Sequence, residues 1–215
     1  MAAVKQHGWA LQFTSEDLQK DREIVMAAVK KSGNALRFAS EDHQKDKEIV
    51  MSAVNQDGNA LEFASEDLRR DREIVMAAVK QNGYALRFAS DDIRRDRDIV
   101  MAAVKQSGNA LDLASEDLKE DREIVMDAVK QNGCALQFAS FELRGDCDVV
   151  IEAAEHNSSS LQHANLTRLS RDNTTSPAKF CKILSCFDSI TSIFTLIKEK
   201  PNLVQYGKPC QICIL

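Results

Sequence analysis

The chain repeats itself every 25 residues, and this period constrains its fold more than any other feature. All six methionines occupy one position of the period, and six of the eight glycines occupy another. They are Met1, Met26, Met51, Met76, Met101 and Met126, and Gly8, Gly33, Gly58, Gly83, Gly108 and Gly133. A fixed period of about 20 to 50 residues is typical of stacked repeat arrays, in which each unit mainly contacts its neighbours. We therefore expect a repeat array rather than an ordinary globular domain.

The unit from Asp71 to Arg95 begins with a predicted helix over about residues 72–81. Asp71 is suited to cap its start, because an aspartate side chain can accept from the free N–H groups of the first turn. The apolar residues that follow recur on one face, as expected of a helix that packs on a core. They are Ile74, Val75, Ala78 and Val79. We expect Gly83 to stop the helix as a left-handed residue just beyond its end.

The second half of the unit is less regular. A shorter apolar stretch runs from Ala85 to Ala89, where Leu86 and Phe88 are only two residues apart, so a strand is possible there beside a short helix. Ser90 could then cap one further turn before the next unit. A helix this short is marginal alone, so the stacking of units must supply its burial. The fold class that we predict is all-α: an α-solenoid of 25-residue helical repeats with a C-terminal amphipathic helix. The sequence leaves its handedness open.

The repeats decay towards the C-terminus, which suggests three segments. Residues 1–164 form the array of six units plus a degenerate cap from Asp146 to Ala164, and residues 165–177 form a linker. Residues 178–215 form the C-terminal segment, with an amphipathic helix over about 178–199 and a tail that contains cysteines. This helix could dock on the last repeat, or it could bind a partner or a membrane surface.

The repeated run D-[RK]-E-I-V-M-x-A-V-x-Q-x-G-x-A-L-x-F-A-S-[ED]-D-L resembles the repeats of the domain of unknown function 4116 (DUF4116). The resemblance covers about residues 1–164 and involves many positions in six copies. It implies tandem helical repeats, and it brings no catalytic residue to this chain.

Charge and hydropathy exclude several classes of function. Residues 1–156 hold 21 Lys and Arg against 30 Asp and Glu, a balance of −9, and the remainder of the chain carries +4. An acidic array does not attract a phosphate backbone, so no nucleic acid partner is expected. No stretch reaches the roughly 20 apolar residues of a membrane span, and the N-terminus lacks the pattern of a signal peptide. We expect an intracellular, cytoplasmic protein that either starts within a repeat or is part of a longer array.

Two positions of the repeat vary between copies and are candidates for partner binding. The position after the glycine holds Trp9, Asn34, Asn59, Tyr84 and Asn109, and the position three residues later holds Gln12, Arg37, Glu62, Arg87 and Asp112. Stacked repeats would turn each set into a ladder, with aromatic anchors and with charges that set the register of a bound peptide. The alternative interpretation is an unconstrained polar surface that tolerates substitution.

Other features favour structural roles. The methionine position is expected at the core or between repeats, and the recurrent Asp and Glu residues are expected at helix starts, where negative charge is favourable. Of the six cysteines, only Cys210 and Cys213 have the spacing of zinc ligands, and free thiols are favoured. We predict no catalytic residue, no metal and no cofactor.

The function predicted from the sequence is therefore a non-enzymatic protein-interaction scaffold that binds an unidentified protein or peptide along one repeat face. The alternatives are a recognition or structural segment of a larger modular protein, and attachment to a membrane surface through residues 178–199. A small-molecule partner is disfavoured.

Overall fold

The computed structural model describes residues 2–165 together with residues 168 and 182. The chain divides into two compact units, Met1–Ser115 and Glu116–Leu215, which are described separately below. Within the described residues, all regular elements are helical and none is a strand. Each unit is an α-solenoid segment, as the period predicts. None of the described helices is long and apolar enough to cross a membrane. The helix predicted over 178–199 and the cysteines of the tail lie outside the described residues.

Each full repeat begins with an α-helix of ten residues, which we call the long helix. In the first unit the long helices are Arg22–Lys31, Lys47–Gln56, Arg72–Gln81 and Arg97–Gln106, after a shorter helix, Ala2–Gln6. In the second unit they are Arg122–Gln131 and Cys147–His156. The predicted cap is confirmed: the Asp71 carboxylate accepts from the backbone N–H groups of Glu73 and Ile74 at 2.9 and 3.2 Å. The same arrangement recurs at the other long helices.

A second element, a 3-10 helix of six residues, follows each long helix, and we call it the 3-10 segment. In the first unit these segments are Gly8–Phe13, Gly33–Phe38, Gly58–Phe63, Gly83–Phe88 and Gly108–Leu113. In the second unit they are Gly133–Phe138 and Ser158–His163. The strand considered for this stretch does not form.

The prediction that Gly83 ends the long helix as a left-handed residue is wrong. The helix ends at Gln81, the next residue Asn82 is extended with φ of −148°, and Gly83 begins the 3-10 segment. No glycine among the described residues has a positive φ. The side chain of Asn82 instead accepts from the backbone N–H of Tyr84 at 3.0 Å, which caps the new segment. The glycine is required by packing between repeats and not by its conformational freedom.

A short connector closes each repeat. It is a single α-turn at Glu16–Gln19, Glu41–Gln44 and Glu116–Lys119, and a 3-10 turn at Leu68–Arg70, Ile93–Arg95 and Leu143–Gly145. The expectation that Ser90 caps this turn with its side chain is not met, because the Ser90 hydroxyl has no hydrogen-bond partner among the described residues. Its backbone N–H instead donates to the carbonyl oxygen of Arg69 at 3.2 Å, which links two repeats.

Within each unit the core runs along the stack and is formed by equivalent positions of successive copies. Ile74, Val75, Ala78, Val79, Ala85 and Leu86 are all fully buried in their repeat. Full burial of a side chain such as leucine or isoleucine stabilises the fold by about 1.5–3 kcal/mol. Neighbouring long helices contact each other within each unit, and so do neighbouring 3-10 segments. The cap predicted from Asp146 to Ala164 keeps the repeat's elements, with Ile151 buried where other copies have methionine.

Candidate functional site

The two variable positions of the repeat lie on one side of the stacked 3-10 segments of the first unit, and we call this surface the 3-10 face. Its members are Trp9 and Gln12, Asn34 and Arg37, Asn59 and Glu62, Tyr84 and Arg87, and Asn109 and Asp112. A 3-10 helix has about three residues per turn, so residues three apart lie directly above each other. The segments contact their neighbours, which brings the five pairs into adjacent positions along the unit.

The aromatic members of the 3-10 face are accessible. Trp9 is 44% exposed and Tyr84 is 40% exposed, although large apolar side chains are usually buried. The Trp9 ring meets Phe38 of the next repeat edge to face, with 5.7 Å between the ring centroids. This contact fixes the indole while leaving much of its surface open to solvent.

The asparagines of the 3-10 face are half-buried and connect repeats. The Asn34 side chain donates to the Asp57 carboxylate at 2.5 Å, and Asn59 accepts from the Asn82 side chain at 2.9 Å. In each pair the second residue immediately precedes a glycine of the next repeat. These positions therefore have a structural role in stacking, whether or not a partner also contacts them.

Sequence analysis missed a row of phenylalanines beside the 3-10 face. Phe38, Phe63 and Phe88 close their 3-10 segments and are half-buried. The Arg37 guanidinium lies over two of these rings, 5.2 Å from the centroid of Phe38 and 5.6 Å from that of Phe63. Such cation–π contacts fix the direction of an arginine without neutralising its charge. The signal for this row was available, because the phenylalanine directly follows the variable position in four of the five copies of the first unit.

Charges on the 3-10 face alternate in sign from one repeat to the next. Arg37, Glu62, Arg87 and Asp112 are all exposed, and within residues 2–165 no hydrogen bond or ion pair engages their side chains. Arg87 lies over Phe88 at 5.7 Å, in the same way as Arg37 lies over its own phenylalanine.

The helix starts show the opposite arrangement, because their charges are paired from repeat to repeat. In the first unit Lys47 contacts Asp71 and Glu73 of the next repeat, each at 2.9 Å. Arg72 likewise contacts Asp96 at 2.8 Å and Asp98 at 2.7 Å. The second unit repeats this with Arg122, which contacts Asp146 and Asp148 at 3.1 Å. The recurrent carboxylates thus cap helices and hold repeats together.

These pairs shift the pKa values of their members. Hydrogen bonds to Asp71, and to a lesser extent to Glu73, raise the pKa of Lys47 to about 12. Burial alone would raise the pKa of Asp71, but the hydrogen bond from Lys47 and those from the backbone N–H groups outweigh it and hold this pKa below its ordinary value. The pKa of Asp96 is lowered in the same way, with Arg72 as the partner. Groups held ionised in this way are poorly suited to proton transfer near neutral pH.

Two open grooves lie elsewhere on the first unit. One, of about 580 Å³, runs between neighbouring long helices and is lined by Met51, Met76 and Lys80 among others. The methionines there are half-buried, as their predicted place between repeats requires. The other, of about 600 Å³, lies between connectors and is lined mainly by polar side chains, including Arg69, Arg70 and Arg95.

No group in the described part of the chain has the geometry of a metal site, where at least three His, Cys, Asp or Glu side chains would have to converge. The His43 ring lies 3.0 Å from the carbonyl oxygen of Lys20, a contact between connectors of neighbouring repeats. His156 is 3.4 Å from Glu152 on its own helix. Both imidazoles are therefore explained by contacts along the surface.

The fold and this surface define a tandem helical-repeat protein. The chain belongs to the family described as "Domain of unknown function (DUF4116)", whose model matches residues 1–44, 46–94, 71–119, 96–144 and 121–169. The last four matches start 25 residues apart, so each family unit spans about two of the repeats described above. No curated protein and no solved structure matches the chain.

Proposed function

We propose that this protein is a non-enzymatic interaction scaffold that binds a peptide or protein segment along the 3-10 face of its first unit. The observation that carries the proposal is the contrast between two surfaces of the same repeats. The starts of the four long helices of the first unit are nearly alike, and charges there are paired from repeat to repeat. The 3-10 face varies from copy to copy and presents aromatic rings and charges that have no ion-pair partners within residues 2–165.

This contrast supports binding because each surface has a different energetic role. Paired charges and capped helix starts already stabilise the fold, so a partner would have to displace those contacts. Exposed aromatic side chains instead lose unfavourable contact with water when a partner covers them, and they are typical anchors of interfaces. Because the copies differ at these positions, each repeat of such a scaffold can recognise a different residue of a bound peptide.

The test is partner capture with the full chain and with the double variant Trp9→Ala and Tyr84→Ala. Both rings are substantially exposed, so their removal should leave the fold intact, which circular dichroism checks. We expect a saturable partner of the full chain to bind the double variant at least about tenfold more weakly, because anchor residues commonly contribute 2 kcal/mol or more.

Phe141→Ala is the matched control. Phe141 is 59% exposed and directly precedes the connector Leu143–Gly145 of the second unit, whereas the 3-10 face belongs to the first unit. Its removal should leave the affinity unchanged. Equal binding by wild type and by the double variant would show that the partner uses another surface. Loss of the partner when residues 165–215 are deleted, with the 3-10 face intact, would show that the tail binds it.

A further inference from the structure

The charges of the 3-10 face follow a regular order along the first unit. Starting from the first repeat, the position four residues after the glycine holds Gln12, Arg37, Glu62, Arg87 and Asp112. From the second repeat onwards the sign alternates at every step. All of these side chains are exposed, and within residues 2–165 the four charged ones make no ion pair.

The step expected between packed repeats is close to the rise of one turn of a polyproline II helix. Packed helices keep their axes about 8–10 Å apart, which sets the step from one repeat to the next. Three residues of a polyproline II helix make one full turn and rise about 9.3 Å, so every third side chain points in the same direction. A peptide in this conformation that runs along the face therefore places every third side chain against the same position of successive repeats.

From this match we infer that the 3-10 face recognises an extended peptide in which acidic and basic residues alternate at every third position. An acidic residue lies against Arg37, a basic residue against Glu62 and an acidic residue against Arg87. The inference rests on the proposed function and specifies the chemistry of the partner. Charge complementarity of this kind gives register and specificity more than affinity.

The aromatic rings beside the two arginines favour a peptide whose acidic residues have the correct spacing. The Arg37 guanidinium lies over Phe38 and Phe63, and the Arg87 guanidinium lies over Phe88, so both arginines are oriented before a ligand arrives. An oriented guanidinium loses less conformational entropy when it binds a carboxylate. Tyr84 lies one 3-10 turn from Arg87 and offers an apolar surface next to the acidic residue of the peptide.

The experiment measures binding of a labelled synthetic peptide to the full chain by fluorescence anisotropy. The probe carries aspartate, lysine and aspartate separated by two neutral residues each, and the control peptide has the same composition with one neutral residue between charges. We expect the probe to bind about tenfold more tightly than the control, since three exposed ion pairs each contribute a modest amount. Added salt should weaken this preference.

Two double variants separate a specific row of charges from net charge. Arg37→Glu with Arg87→Glu makes the row uniformly acidic, and we expect it to lose the probe and to prefer a peptide with lysine at every third position. Lys30→Glu with Lys80→Glu makes the same change in net charge in the same two repeats, in the last turn of the long helices. It should bind the probe as the wild type does.

Equal binding of probe and control peptide would overturn the inference, and so would an equal loss in both double variants, since either result means attraction by net charge alone. Failure of the probe to bind would overturn it as well. If the double variant Trp9→Ala and Tyr84→Ala nevertheless fails to bind a native partner of the wild type, the proposed function stands. In that case only the inferred order of charges in the peptide is wrong. If neither the probe nor a native partner depends on this face, both proposals fail.

Discussion

Gly83 lies against the carbonyl oxygen of Ala103, which is located in the long helix of the next repeat, and no side chain fits between them. A Cβ atom added to Gly83 would fall well inside van der Waals contact with that oxygen. The same relationship links Gly8 to Ala28, where the added Cβ would lie 2.5 Å from the oxygen, and Gly58 to Ala78. The glycines are thus the points at which the backbones of successive repeats approach each other most closely.

Gly83→Ala should destabilise the protein by about 1–3 kcal/mol, because the new methyl group overpacks a contact with rigid backbone. Thermal unfolding followed by circular dichroism measures the effect. The control is Gln81→Ala, at an exposed position in the last turn of the preceding long helix, where no atom is added to a backbone contact. An unchanged melting temperature for Gly83→Ala would show that the repeats can move apart at no cost.

Asp71→Ala should destabilise the protein by about 1 kcal/mol, since two backbone N–H groups at the start of a long helix lose their acceptor. Asp71→Asn keeps a capping side chain but removes the charge that pairs with Lys47. Because an exposed ion pair contributes little to stability, we expect the asparagine variant to lose less than the alanine variant. Urea unfolding of both variants distinguishes the contribution of the cap from that of the ion pair. An equal decrease in the free energy of unfolding for both variants would show that the cap adds nothing beyond the ion pair.

Acid should weaken the array in a defined range of pH. The folded-state pKa values of Asp71, Asp96 and Asp146 lie below their ordinary value of 3.8. A lowered pKa adds stability that is fully present above the unfolded value and is lost as the pH falls through the folded value. The free energy of unfolding should therefore fall below about pH 4. Urea unfolding between pH 7 and pH 3 tests this.

The matched variant for the acid experiment replaces all three aspartates by asparagine. It should be less stable at pH 7, and its free energy of unfolding should change less between pH 5 and pH 3. If the variant and the wild type lost stability in parallel over this range, other carboxylates would be responsible.

Ser160→Ala should stabilise the protein by about 1–2 kcal/mol, because it removes a buried hydroxyl that lacks a partner. Ser160 is fully buried, and its hydroxyl has no hydrogen-bond partner among the described residues. The equivalent position is alanine in the other copies, for example Ala135. Ser140→Ala is the contrasting variant, since the Ser140 hydroxyl accepts from the backbone N–H of Leu143 at 3.3 Å. We expect that variant to lose stability in thermal unfolding.

The long helices could be predicted almost to the residue. Asp71 as the cap, Ile74 and Val79 as core positions and the range 72–81 all agree with the structure. This succeeded because helix starts and apolar faces are local signals, and six copies of the same signal remove most of the ambiguity. The placement of methionines at the boundary of the core followed from the same periodicity.

The second half of the repeat could not be predicted in this way. The stretch Gly83–Phe88 is too short for its periodicity to separate a strand from a helix, and it forms a 3-10 helix because Ala85 and Leu86 both have to face the core. The 3-10 geometry then aligns Tyr84 with Arg87 on the outer surface. The candidate positions and their ladders along one face could be expected from variation between copies, but the contacts of Arg37 with Phe38 and Phe63 could not.

The period, the helical class, the caps and the core positions follow from the amino-acid sequence, because each depends on contacts within about one turn of helix or on repetition that can be read directly. The reason why the glycines recur and the pairing of the charges became clear only in three dimensions. Gly83 meets Ala103, and Lys47 meets Asp71, across the boundary between repeats. Such contacts depend on how closely two backbones approach, and a one-dimensional pattern carries no measure of that distance.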